Sequence, residues 1–277
     1  MPRTLKLTLS YDGTAYVGWQ RQAAGVSIQG LVEAALTRLD AAPVAVVGAG
    51  RTDAGVHALG QVVSAPVTTA LDVTTIARAL NATLPRDVRV VHVEEAPESF
   101  HARYDASSKR YEYRIWDGDV QPPFARAWSW HGPRRLDVEA MHRAAQTLVG
   151  RHDFSAFQST GTAVKSAVRT VTVAEVSGGT VPPGAADLPL VAGVERDPGR
   201  LIVFRIEADG FLRHMVRAIT GTLVEIGEGR RPVPSIAALL ELRNRAAAGP
   251  TAPALGLILV RVDYGPRSGA PEVKSVS

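Results

Sequence analysis

The residues best placed to do chemistry lie in VVGAGRTDAGVHALGQVV, positions 46 to 63. Asp53 stands there among four glycines, two residues after Arg51 and four before His57, between two strand-like runs. Aspartate close to glycine is ordinarily a turn former, its carboxylate bonded to its own backbone. Two phosphate-loop alternatives fail on spacing. Gly48-x-Gly50 has no third glycine at 53, and Gly50 and Gly55 are followed by Val56-His57 where a P-loop needs Lys-Ser/Thr. A different chemistry fits. On an extended backbone Arg51 and Asp53 share a face. A guanidinium beside a carboxylate favours the ionised form and fixes its rotamer. Ala54 and Gly55 let a flat ligand approach the backbone. An oriented carboxylate of this kind is a nucleophile for a sugar or base carbon. Paired-acid glycoside hydrolysis needs a second carboxylate roughly 5–9 Å away. None is near in sequence, and Asp12 or Glu33 could approach only through the fold.

The elements that must position this loop follow from periodicity. TLKLTL (4–9), VAVVGA (44–49), QVVSAPV (61–67) and VRVVHVEEA (88–96) read as strands. SIQGLVEAALTRL (27–39) predicts a helix capped by Ser27 with a Leu31, Ala35, Leu39 stripe, and DVTTIARALNATL (72–84) a second capped by Asp72. The second half repeats this order. It has strands at 109–116, 167–176, 201–208 and 255–264, and helices over 137–150, 211–227 and 235–247, the first capped by Asp137 and ended by Gly150. Residues 177–200, rich in Gly and Pro, read as an extended, mobile hairpin insertion, and 266–277 as a disordered tail. The chain therefore reads as α+β with two similar subdomains, 1–106 and 107–265, the boundary falling near residues 104 to 108.

Composition narrows the function. At 277 residues, 45% hydrophobic and 21% charged, the chain can bury a sizeable core. No apolar run approaches the ~20 residues of a membrane span. MPRTLKLTLSYDG lacks the apolar block of a secretory signal, which fits a cytoplasmic protein. With no cysteine, disulfides, thiolate catalysis and cysteine-ligated zinc are excluded. The seven histidines are scattered, with no His-x-x-x-His pair on a helix, so no metal site is expected. Lys+Arg outnumber Asp+Glu by 31 to 27, and only Lys6, Lys109, Lys165 and Lys274 are lysines. Arginine gives bidentate phosphate contacts and stacks on bases. The net charge of +4 fits a merely arginine-rich protein equally well. On the predicted 211–227 helix, Arg213, His214 and Arg217 are neighbours, with Phe211, Met215 and Ile219 on an apolar face. Such a basic face on an otherwise apolar helix belongs at a cleft.

GRTDAGVHA (50–58) resembles the catalytic motif of the tRNA pseudouridine synthase A (TruA) family. YDGTAYVGWQRQ (11–22), NATLPRDVRV (81–90), SFHARYDASSKRYEYRI (99–115), FLRHMVRAITGTLVEIG (211–227) and APALGLILVRVDY (252–264) are similar to its other blocks, in the same order. The resemblance covers roughly residues 4 to 264. It implies a pseudouridine synthase fold, two similar α/β subdomains whose antiparallel sheets join across a central active-site cleft. It implies isomerisation of uridine to pseudouridine at positions 38, 39 and 40 of the tRNA anticodon stem-loop, without metal or organic cofactor. It also implies a homodimer, with one tRNA lying across both protomers.

The same resemblance assigns roles. Asp53 is the nucleophile. Arg51 pairs with it and fills the space of the flipped nucleotide. Arg217 approaches Asp53 from the other half, and Tyr111 is the substrate-binding tyrosine. Flipping a base costs a few kcal/mol, and stacking on an aromatic ring repays roughly 1–3 kcal/mol. Strand parity puts Tyr113 on the same face, so the choice of Tyr111 rests on the resemblance. His214 and Arg103 are expected at the substrate, and Lys109 and Arg110 at phosphates. Trp19 and Arg21 pair an aromatic with a cation, which suits RNA, although Trp19 would equally serve as a core anchor. A non-catalytic RNA binder would keep these aromatics and arginines but gain nothing from a carboxylate aimed at RNA.

Overall fold

Leu5, Leu7, Leu9 and Tyr11 are buried and alternate with the more exposed Lys6, Thr8 and Ser10, which makes Arg3–Tyr11 a strand, β1, with one sealed face. The structure is a computed structural model and describes residues 2–132, 134–159, 165–179 and 199–265. After β1 come α1 (Ile28–Asp40), β2 (Val47–Gly48), β3 (His57–Val67), α2 (Val73–Thr83) and β4 (Val88–Ala96). Then follow β5 (Ala106–Trp116), β6 (Trp130–His131), α3 (Val138–Gln146), β7 (Gly150–Asp153), β8 (Val168–Gly178) and β9 (Leu201–Ala208). The last elements are α4 (Met215–Gly227), α5 (Ser235–Leu242) and β10 (Leu257–Tyr264).

The strands form one mixed sheet in the order β4-β1-β3-β10-β5-β9-β8-β7, with β2 beside β3 and β6 beside β5. With its helices, this is an α+β architecture. Strands of both halves share the sheet, and β10 carries it across. It runs antiparallel to β5, while against β3 it is parallel and pairs only Ile258 with His57 and Leu259 with Ala58. In the first half α2 packs on β4 and α1 on α2; in the second α3 packs on β8 and α4, and α4 on β5.

The helix caps are where the sequence puts them: Ser27 accepts from Gly30 N, Asp72 from Thr75 N and Asp137 from Ala140 N. The buried stripe of α1 is Ile28, Val32, Ala35 and Leu36, one residue off the expected line. Three helices are shorter than their periodicity suggests. Helix α3 stops at Gln146, because Gly150 takes φ +116 and opens β7. Helix α5 stops before Arg243, which is left-handed at φ 54. Helix α4 starts at Met215, because His214 is left-handed at φ 61, so residues 211–213 lie outside the helix. The strands flanking residues 177–200 pair antiparallel down to Gly178 and Ile202. The expected mobility of that insertion, and the 266–277 tail, lie outside the described residues. No helix among them is long and apolar enough to cross a membrane.

Candidate active site

Residues 49–56 leave β2 and enter β3 as a loop pinned from several sides. Ala49 N donates to Val62 O at 2.8 Å, and Gln61 Nε2 to Gly50 O at 2.8 Å. Tyr11 and Thr52 share a hydroxyl hydrogen bond of 2.8 Å, and Trp19 N donates to Thr52 O at 3.0 Å. This last bond needs Gly18. Its φ is +107, and a Cβ there would sit 2.6 Å from Thr52 O. His57, 1% exposed, closes the loop: Gly13 N donates to its Nδ1 at 3.1 Å, and its Nε2 bonds Leu255 O at 3.0 Å.

Asp53 opens onto a cleft of about 1000 Å³ between the 46–56 loop, β5 and the 209–216 segment. Its Oδ2 meets two groups from the other half, His214 Nε2 at 3.3 Å and Arg217 Nη1 at 3.4 Å. Arg217 is anchored by its Nε, which donates to Ala252 O at 2.7 Å. His214 Nδ1 lies 2.5 Å from Ser159 Oγ. Burial, followed by Arg217, Arg213 and Arg245, pulls the His214 pKa below its usual value, against the opposing pull of Asp53.

The alternation expected around Asp53 is present: Thr52 is buried, and Arg51 and Asp53 both line the cleft. The expected ion pair between them is not. Arg51 is exposed and comes within ion-pair distance of no acid among the described residues, whereas Asp53 pairs with His214 and Arg217. Side chains two residues apart on extended backbone stand about 6.6 Å apart and parallel, so the longer Arg51 reaches past the short carboxylate into the cleft.

The two tyrosines of β5 separate. Tyr111 lines the cleft edge-on to Phe211, with ring centroids 5.0 Å apart. Burial, with Tyr11 and Asp53 nearby, pushes its hydroxyl well above the usual pKa, so it stays protonated. Tyr113 is 0% exposed, and its hydroxyl donates to Pro253 O at 2.7 Å. Lys109 shares the Tyr111 face and lines the cleft with Arg103. Burial, then Arg103, pulls the Lys109 pKa down.

Three expectations are refined or corrected. Trp19 takes the core-anchor reading, 2% exposed with its ring packed where a Cβ on Gly48 would fall within 2.5 Å of it, and it also lines the cleft wall. Arg110 points to the opposite face of β5, where Nε and Nη2 donate to Glu207 Oε2 at 2.8 and 2.7 Å, so that guanidinium is committed. His214 and Arg213 are not on a continuous helix with Arg217, for the backbone reason above. Arg21 is exposed and pairs with Glu33 at 3.2 Å. The sequence reading missed Arg169, Asp209 and Tyr104, which line the cleft, and Ser159 behind it. Only the exposed ring of Tyr104, beside Arg103, had a residue-type signal. Among the described residues no cluster of three His, Asp or Glu side chains could hold a metal ion.

One cleft thus gathers a carboxylate held beside two basic groups from the far half of the chain, a tyrosine and several cationic side chains. A model of the family described as "tRNA pseudouridine synthase" matches residues 8–105 and 144–265, and the chain belongs to that family of isomerases. Tyr111 and Lys109 lie between the two matched stretches. The chain is 45% identical over 271 residues to "tRNA pseudouridine synthase A" of Myxococcus xanthus, covering 98% of this chain and 94% of the relative. To the protein of the same name from Moorella thermoacetica it is 46% identical over 262 residues, covering 94% and 99%.

Proposed function

We propose that this chain converts uridine to pseudouridine at positions 38, 39 and 40 of the tRNA anticodon stem-loop, with Asp53 as nucleophile and no cofactor. The observation that carries this reading is the grip of His214 and Arg217 on one oxygen of Asp53, opposite Tyr111. The reaction rearranges one nucleotide. The N1–C1′ bond breaks, C5 bonds C1′, the hydrogen on C5 leaves as a proton, and N1 gains one. No electrons are exchanged, so the work left to the protein is base extrusion, orientation and stabilisation of charge.

Residues take roles accordingly. Asp53 engages the flipped nucleotide, and Tyr111 stacks on its uracil. Arg51, reaching into the open cleft, fills the gap that the base leaves in the stem. Arg217 and His214 hold the carboxylate. Arg103, Lys109 and Arg169 give the cleft wall three basic side chains for phosphates. The two subdomains, 1–106 and 107–265, meet at this cleft. That reading is supported by helices packed separately on each half, and by Asp53 and Arg217 coming from different halves. Two protomers in the cytoplasm, together presenting the basic surface to one tRNA, would offset the modest +4 of each chain.

The test is tritium release from [5-³H]uridine-labelled, unmodified tRNA, wild type against Asp53→Asn, with product sites mapped. Release confined to the anticodon arm and abolished in the variant supports the reading. Tight tRNA binding without release from any tRNA would make the chain a binder and end the proposal.

A further inference from the structure

Asp53 Oδ2 accepts from Arg217 Nη1 at 3.4 Å and lies 3.3 Å from His214 Nε2, while Oδ1 has no hydrogen-bond partner among the described residues. The two carboxylate oxygens are therefore inequivalent before substrate arrives. Whether His214 can grip Oδ2 depends on its proton. A neutral imidazole has one N–H, and it reaches Oδ2 only if that hydrogen is on Nε2. Nδ1 must then accept, and Ser159 Oγ is the group 2.5 Å from it. Ser159 is itself fixed, its N donating to Arg213 O at 3.2 Å. His214 sits in a left-handed conformation, φ 61, that residues with a Cβ rarely adopt.

We propose that Ser159 is a positioning residue. By donating to His214 Nδ1 it keeps the proton on Nε2, ties up Asp53 Oδ2 and leaves Oδ1 as the attacking oxygen. This rests on the activity proposed above. No function is assigned to Ser159 by the sequence motifs, and it acts on the reaction only through His214. The charged groups facing His214 are Asp53 from the loop, Arg213 and Arg217 from its own segment, and Arg245 from the turn after α5. Three cations and one anion surround it, so a second proton is unfavourable, and the Ser159 hydroxyl, which favours the neutral ring, adds to this. When the ring is protonated its other N–H turns on Ser159, the imidazolium draws on the carboxylate, and the nucleophile weakens.

The experiment is single- and multiple-turnover tritium release from unmodified [5-³H]uridine tRNA at pH 5 to 9. It compares wild type with Ser159→Ala, Ser159→Thr and His214→Gln. Expected for Ser159→Ala is a drop in kcat of about tenfold with KM for tRNA unchanged, and an acid limb of the pH profile moved to higher pH. Ser159→Thr, which keeps the hydroxyl, restores both. His214→Gln removes the limb. A Ser159→Ala enzyme with the wild-type profile overturns the proposal, as does a loss of rate that Ser159→Thr does not restore. If wild type itself releases no tritium, the activity reading falls first and takes this proposal with it. If wild type is active and only the Ser159 variants behave as wild type, this proposal falls alone.

Discussion

Arg217 Nη1 lies 3.4 Å from Asp53 Oδ2, a contact between residues 164 positions apart, while Arg51, two positions away, makes none. The partner of the Asp53 carboxylate comes from the start of α4. Because Arg217 also donates through Nε to Ala252 O, a lysine cannot make both contacts. Arg217→Lys is expected to lose roughly 1.5–3 kcal/mol of charged hydrogen bonding, about 10- to 150-fold in single-turnover rate. A rate within twofold of wild type would show that the contact is incidental.

Arg51 should behave as an RNA contact. Arg51→Ala is expected to lower the slope of log affinity against log salt by about 1, measured by tRNA titration from 50 to 200 mM salt. An unchanged slope with a collapsed rate would instead put Arg51 on Asp53 during the reaction.

Tyr111 and Tyr113 should differ in kind. Tyr111→Ala removes a stacking surface worth roughly 1–3 kcal/mol, so activity falls about 5- to 150-fold while the denaturation midpoint barely moves. Tyr113→Phe strips the donor from Pro253 O and should cost about 1 kcal/mol of stability. Urea unfolding of both variants beside the activity assay separates them. Equal behaviour contradicts the assignment.

Lys109 gives a pH signature at the alkaline end. Its pKa is pulled below 10.5 by burial, so its charge is complete below the lowered value and lost as pH rises through it. Binding of tRNA by wild type should therefore weaken as pH is raised from 8 toward 10, more than binding by Lys109→Arg, which keeps its charge. Parallel curves for the two proteins would remove Lys109 from the phosphate contacts.

Gly18 supports the loop through its backbone. Gly18→Ala forces a Cβ to within 2.6 Å of Thr52 O at an unfavourable φ, so the loop must shift. Stability should fall by at least ~1 kcal/mol, and the rate should fall further than stability alone explains. Crystal structures of both forms would locate the displacement at residues 52–54.

Local features were the legible ones. Ser27, Asp72 and Asp137 cap helices through bonds three residues away, so sequence shows them directly. β4 and β9 match their alternating runs end to end. What sequence could not show was decided at long range. Trp19 belongs to the core because Gly48 leaves it room, and Arg110 is committed because Glu207 of β9 lies opposite it. The start of α4 was misplaced because the left-handed turn at His214 breaks an unbroken helical periodicity, and its ring contacts come from Ser159 and Asp53. Even the choice between Tyr111 and Tyr113 needed the third dimension, since both have strand parity on their side.

The parallel pairing of β10 with β3 has a consequence for synthesis. His57 closes the loop of Asp53 against Leu255 and pairs with Ile258, yet Leu255 lies 198 positions further along the chain. At ~5–20 residues per second, the emerging loop waits on the order of 10–40 s for them. Through that interval the start of β3, at His57 and Ala58, lacks its β10 partner, the kind of open edge that recruits foreign strands. Arg217 emerges only shortly before Ile258. The loop of Asp53 therefore leaves the ribosome well before the strand that closes it, and the docking of β10 completes its setting.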